Sequence, residues 1–420
     1  MNHISETINK MNILIINQPL NNRGDESAHK GLVRALCKKL PQCKIKVLFI
    51  GANDNSVAQF NVNIDNVEYI NLKPFKAFYK ISILGLKHKA PLLWYLHPTI
   101  RKVMDIYKKH DYILCAPGGI CMGGFQNWMH LFMLKLAKHL QKPLIYYGRS
   151  FGPFPTVTKD NRIFKKISLE MLNYFCFLSI RDQKTEELAK ELNVHYYSTV
   201  DSAFLDSPKV QIPAEIQSKI GSDNYMVFVP NLLIWHYKYK NKLSKANVIF
   251  FYQQIISIIT QKYPHLKIVL LPQTFNYGTY LGDDINFFKD IVQKVNDSRL
   301  IIIEDKYSSD IQQAIIAKAS FLIGARYHSI IFAINNNTPF IALSYEHKIA
   351  GILSKVNLTD RLIDITHISN DLQKMSEITK QVSILINHLK KQDEISVLQT
   401  KKIADSCLDL LISHITTDKA

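Results

Sequence analysis

The stretch 320–348, SFLIGARYHSIIFAINNNTPFIALSYEHK, constrains the fold of this chain more than any other. Phe321 to Ile323 is an apolar strand that stops at Gly324; Arg326 and His328 follow, then an apolar helical run and a second apolar strand. Strand, turn, helix and strand in that order make a βαβ unit, and short unbroken apolar runs suit strands buried on both faces. In open parallel sheets, ligands bind beyond the carboxyl ends of the strands, where helix N-termini leave N–H groups free for an anion. A guanidinium two residues from an imidazole, placed there, suits an acidic substrate and a proton transfer. Residues two apart on one helix point away from each other, so both reach one ligand only if Arg326 lies in the turn before the helix.

The same alternation runs through the rest of the chain. Asn12–Asn17, Lys44–Ile50, Tyr112–Ala116, Leu144–Tyr147 and Phe177–Ile180 read as strands, with helical periods through Leu40, over 127–140 and after Pro153. Residues 206–224 carry Pro208, Pro213 and Gly221 without a sustained period and read as a linker. Tyr225–Pro230 opens a second block of strands and helices that includes Lys267–Leu271 and Leu300–Ile303, and two amphipathic stretches near 370–390 and 396–414 close the chain, either within that block or packed back across the domain seam. The expectation is an α/β protein of two Rossmann-like doubly wound domains facing one another across a cleft, over 1–205 and 225–420.

The chain of 420 residues is 47% hydrophobic and 21% charged, an ordinary globular balance with room for two cores. No apolar run reaches the ~18 residues that span a bilayer, and Met1 to Lys10 is too polar for a secretory signal, so a cytoplasmic location is expected. The six cysteines lack metal-ligand spacing and read as free thiols. The net charge of +17 favours anionic partners. Between Asn71 and His110, nine Lys and Arg face one Asp, interleaved with Phe75, Phe78, Tyr79, Trp94 and Tyr95. That pattern suits either a solvated loop and helix face or the inner leaflet of a membrane; no binding motif supports nucleic acid.

Several strand ends carry candidate site residues, each with a plainer reading. In Asn22-Arg23-Gly24-Asp25, Asp25 either caps a helix or faces a ligand. Pro117-Gly118-Gly119 is a tight turn that also leaves N–H groups for an anion. Arg149 sits in a loop stiffened by Gly148, Gly152 and Pro153. Arg181 either binds an anion or pairs with adjacent Asp182. Asp201 suits a turn, Gln273 follows Leu271-Pro272 at a strand end, and Asp283 and Asp284 follow a glycine-bearing loop as a helix cap.

Taken together, Arg326-x-His328 with Tyr345-Glu-His-Lys348, Asn22-x-Gly24-Asp25, Gly148-x-Ser150-x-Gly152-Pro153 and Leu271-Pro272-Gln273 resemble the signature of the polysaccharide pyruvyl transferase family. The resemblance implies a glycosyltransferase-B-like arrangement and transfer of pyruvate from phosphoenolpyruvate to a hexose as a cyclic ketal. The first domain would take the acceptor and the second the phosphoenolpyruvate. His328 and Arg326 would be catalytic, and Arg181, Lys348, Arg149, Gln273, Asp25, Gly118 and Gly119 would bind substrate. No metal or cofactor is called for, since Arg and Lys can neutralise the phosphate. The acceptor would be a bacterial surface glycan on a polyprenyl pyrophosphate, handled by a cytoplasmic protein at the periphery of the inner membrane. Two other readings remain: a glycosyltransferase of the same shape using a nucleotide sugar, and a basic scaffold for acidic lipid or nucleic acid.

Overall fold

The computed structural model describes residues 11–236, 238–240, 242–275, 283–392 and 394–417. The polar start Met1 to Lys10 and the glycine-bearing loop before Asp283 lie outside the described residues. The chain divides into two compact units: Met1–Leu20, Asp25–Asp206 and Lys401–Ala420 form the first, Asn21–Gly24 and Ser207–Thr400 the second.

The first unit is built on seven strands: β1 (Asn12–Ile16), β2 (Lys44–Ile50), β3 (Val67–Leu72), β4 (Tyr112–Cys115), β5 (Leu144–Tyr146), β6 (Phe177–Ile180) and β7 (Tyr197–Ser198). They are all parallel, in the order β3-β2-β1-β4-β5-β6-β7. Alternate side chains of a strand serve opposite faces: Ile13 and Ile15 join one core, Leu14 and Ile16 the other. The strand order reverses between β1 and β4, and beyond the carboxyl ends there lie Asn17–Leu20, Ala116–Gly119, Tyr147–Gly152 and Arg181–Asp182. Ligands collect at such a switch point.

The second unit repeats the plan with β8 (Tyr225–Val229), β9 (Lys267–Leu270), β10 (Leu300–Ile302), β11 (Leu322–Gly324), β12 (Phe340–Ser344) and β13 (Leu362–Asp364). Again all are parallel, in the order β10-β9-β8-β11-β12-β13, with the reversal between β8 and β11. Among the described residues no helix is long and apolar enough to cross a membrane. All six cysteines are free thiols.

The units differ from the expected division in three places, the first being Asn21–Gly24, expected in the first domain and found in the second unit. Residues from Lys401 onward, expected in the second domain, belong to the first unit. The cause is apolar spacing: Cys407, Leu408, Leu411 and Ile415 share one helix face and are buried in the core beside Ile13 and Ile15. Lys39 adds ion pairs to Asp405 and Asp409, at 2.6 Å each. The segment 206–224, expected as a bare linker, contains the helix Ala214–Ile220, whose Ile216 and Ile220 are buried.

Candidate functional site

In the first unit, Arg149 lies wholly buried at the carboxyl end of β5. Its Nη1 donates to the carbonyl of Ala116 and its Nη2 to Cys121 Sγ at 3.0 Å, while Nε has no partner among the described residues. No carboxylate stands at ion-pair distance among those residues. A Cβ on Gly118 would fall 3.3 Å from Asp25 Oδ1 and 3.4 Å from Arg149 Nη1, so carboxylate and guanidinium converge beneath this turn. Gly119 has open space on its Cβ side, and its role is not steric. Asp25 occupies the first turn of the helix Arg23–Lys39, where a carboxylate is favoured by the helix dipole.

Arg181 is buried at the end of β6, in an ion pair with Asp201 rather than with its neighbour Asp182. Asp201 also caps a short 3₁₀ turn by accepting from the Ala203 N–H at 3.0 Å. Asp182 is engaged elsewhere: it accepts from the Thr185 N–H at 3.0 Å, capping the helix Gln183–Glu191, and from the Ser150 hydroxyl.

In the second unit, Arg326 is the N-cap of the helix Tyr327–Asn335, in extended backbone just before the first turn. That is the placement that the Arg-x-His spacing requires. Gly324 is needed below it, because a Cβ there would stand 2.3 Å from Ser329 Oγ. The guanidinium is paired with Asp284, whose other oxygen accepts the backbone N–H groups of Gln273 and Thr274, both at 3.0 Å. Burial would lower the Arg326 pKa, but Asp284 and Tyr345 outweigh it and the net displacement is upward. Asp284 is therefore an anchor for cation and loop together; the cap of the helix Asp284–Val295 is Asp283. Gln273 is buried, and its side-chain amide nitrogen has no partner among the described residues.

His328 is buried in the first turn of the same helix, against the rings of Tyr327 and Phe332 at 5.0 and 6.4 Å between centroids. A Cβ on Gly24 would come within 1.8 Å of His328 Nδ1, so that glycine is a packing surface for the imidazole. The segment bearing Gly24 is held by Arg23, which stacks on Phe275 and donates to the carbonyls of Lys306 and Tyr307 at 2.7 and 2.5 Å.

Lys348 stands in the first turn of the helix His347–Lys355, 3.3 Å from Glu346. The far oxygen of Glu346 lies 3.8 Å from His236 Nε2. Burial pushes the Glu346 carboxyl up, yet Lys348, His236 and His347 together hold it below the usual carboxylate range. Neither this helix nor Tyr327–Asn335 has an acid in its first turn. Cations there oppose the helix dipole, and the carboxylates paired with them, Asp284 and Glu346, offset that conflict.

The sequence did not single out Asp284, Arg23 or Cys121 as parts of this arrangement. Their signal was weak: an Asp after an Asp reads as a cap, and a lone Cys reads as filler.

Residues 22–347 match the sequence model of the family described as polysaccharide pyruvyl transferase. Over 415 residues the chain is 21% identical to the amylovoran biosynthesis protein AmsJ of Erwinia amylovora, covering 92% of this chain and 95% of the relative. In fold it is similar to a candidate UDP-N-acetylglucosamine 2-epimerase from Listeria monocytogenes, with a TM-score of 0.60, 12% identity and 97% of each chain covered. It is also similar to the α,α-trehalose 6-phosphate synthase of Burkholderia multivorans, with a TM-score of 0.54, 10% identity, and 98% and 100% of the two chains covered. The fold is thus glycosyltransferase-B-like.

Proposed function

The chain belongs to the polysaccharide pyruvyl transferase family, and from that premise we propose that it transfers a pyruvyl group from phosphoenolpyruvate to two hydroxyls of one hexose, forming a cyclic ketal and releasing phosphate. The acceptor is a bacterial surface glycan still carried on a polyprenyl pyrophosphate. The observation that carries the reading is the pair Arg326 and His328 at the carboxyl end of β11, on a helix that opens without an acidic residue.

Phosphoenolpyruvate brings a carboxylate and a phosphate. A guanidinium fork binds either through two parallel bonds, which an ammonium cannot match. Arg326, aimed by Asp284, takes the first role, with Lys348 adding positive charge and Gln273 a neutral donor, while the charge of Arg181 is met by Asp201 within the first unit. His328 delivers a proton to the methylene carbon, and C2 becomes cationic. One acceptor hydroxyl then bonds C2, the bond from C2 to the phosphate oxygen breaks with its electrons leaving on phosphate, and the second hydroxyl closes the ring. Of the two hydroxyl protons released, one restores His328 and the other departs with phosphate. On the acceptor side, Asp25 accepts from sugar hydroxyls, the Gly118–Gly119 turn offers N–H groups, and buried Arg149 supplies fixed charge beneath them.

The test is phosphate release from phosphoenolpyruvate, with and without lipid-linked or aryl hexosides, for wild type and His328→Ala. General acid catalysis is worth ~10²–10⁴ in rate, and the variant is expected to lose that much in kcat with smaller change in substrate binding. No release with any acceptor, together with turnover of a nucleotide sugar, sinks the proposal and moves the activity to glycosyl transfer.

A further inference from the structure

The connection from β3 to β4 carries three helices, Phe78–Lys87, Leu92–Tyr95 and Pro98–Lys108. Their inner sides supply the core with Phe78, Leu86, Trp94, Ile100 and Val103. Their outer side is also apolar. Phe75 is 64% exposed, Leu84 43%, Leu92 78%, Tyr95 42% and Leu96 76%. Leu92, Tyr95 and Leu96 stand at i, i+3 and i+4, so they share one face. Single exposed apolar side chains are ordinary on a folded protein, whereas a contiguous set marks a docking surface.

The charges between these side chains indicate what docks. Lys76, Lys80 and Lys89 are exposed among them, with Arg101 and Lys102 following on the next helix. None of the five has a carboxylate at ion-pair distance among the described residues. Lys73, Lys87 and Lys108 by contrast pair with Asp54, Asp160 and Asp105. Apolar side chains set among unpaired cations match the headgroup layer of an anionic bilayer, where leucine and aromatic side chains enter the acyl boundary and lysines meet phosphates. The surface also adjoins a cavity of about 370 Å³. Phe78, Tyr79 and Phe125 wall it, and Asn17, Gln18 and His130 carry it to the carboxyl edge of the first sheet.

We propose that the face formed by Phe75, Leu84, Leu92, Tyr95 and Leu96 with Lys76, Lys80 and Lys89 docks this protein on an anionic phospholipid bilayer. Docking there sets the adjoining cavity at the lipid surface, where an acceptor held by a membrane lipid would enter; that consequence rests on the acceptor named under Proposed function, while the docking itself does not.

The test is flotation with vesicles of phosphatidylcholine alone and of phosphatidylcholine with phosphatidylglycerol, at low and high salt. Wild type floats with the anionic vesicles only, and salt weakens the association. The double variant Lys76→Glu, Lys80→Glu loses about thirtyfold or more in affinity, the attraction of two lysines to an anionic surface. Leu92→Ser, Leu96→Ser loses binding as well. Both retain the wild-type circular dichroism melt and wild-type turnover of a water-soluble aryl hexoside, while turnover of an acceptor embedded in vesicles falls. Wild type that fails to float with anionic vesicles, or variants that float as well as wild type, overturn the proposal. So does a wild-type dimer that the leucine variant converts to monomer, which would assign the face to a second copy of the chain. Failure of pyruvyl transfer with every acceptor would leave flotation unaffected, so the two readings fail separately.

Discussion

Asp283 and Asp284 are neighbours with different work, and exchanging each in turn separates a helix cap from a positioning residue. Asp284 is buried, and one carboxylate spans the Arg326 guanidinium and two backbone N–H groups of the loop after β9. Asn at this position keeps one carbonyl oxygen, which can serve either the guanidinium or the backbone pair. Its NH₂ then faces a donor, and the charge that offset Arg326 is gone. Breaking a buried pair by removing one partner costs ~3–5 kcal/mol, and the oxygen that Asn keeps places the expected loss at about 3 kcal/mol. For a domain of this size that lowers Tm by ~6–12 °C. The released guanidinium no longer points reliably at a substrate anion. Loss of charge-assisted bonds worth ~1.5–3 kcal/mol raises KM for phosphoenolpyruvate by ~10–100-fold, with a smaller change in kcat. Asp283→Ala loses only the cap bond to the Ile285 N–H, ~1 kcal/mol, and leaves KM at the wild-type value. Thermal melts and initial rates against phosphoenolpyruvate measure both. If Asp284→Asn melts with wild type, or if the two variants shift KM alike, Arg326 is not positioned by Asp284.

Two further outcomes follow from packing and burial. Gly24→Ala places a methyl group 1.8 Å from His328 Nδ1, so the imidazole must move; kcat is expected to fall by at least ~10²-fold, and a variant of near wild-type kcat would show that the position of His328 is immaterial. His29 is fully buried against Phe60 and Tyr69, and burial, aided by Lys30 and Arg34, depresses its pKa from 6.5 to about 3. The unfolded chain therefore binds a proton below pH 6.5 that the folded chain refuses until about pH 3, so stability falls with pH through that window by ~1.4 kcal/mol per unit. His29→Phe removes this term, and urea midpoints from pH 7 to pH 4 should decline less steeply than for wild type. Parallel slopes would mean that His29 is protonated in the folded state.

What the sequence disclosed and what it withheld divide along one physical line. Strands buried on both faces announce themselves as unbroken apolar runs, and β1, β4, β5, β8, β9 and β11 were legible for that reason. The edge strands β3 and β7 were not: their residues are largely half-buried, and β7 is two residues long. Candidate site residues at strand ends were legible because Gly and Pro punctuate the chain there, which is how Gly118, Arg149, Arg181 and Arg326 came forward. Their partners were not legible. Arg181 passes over adjacent Asp182 for Asp201, because Asp182 is already committed to a helix N-terminus. Helix Glu394–Thr417 shows its apolar face in the spacing of Cys407, Leu408, Leu411 and Ile415, but spacing cannot say which core it covers. Periodicity reports that a surface is buried, and local punctuation reports where a ligand could sit. Which charge meets which depends on strand order, which no short window contains. The residues that aim a buried cation, as Asp284 aims Arg326, are for that reason the ones a motif leaves out.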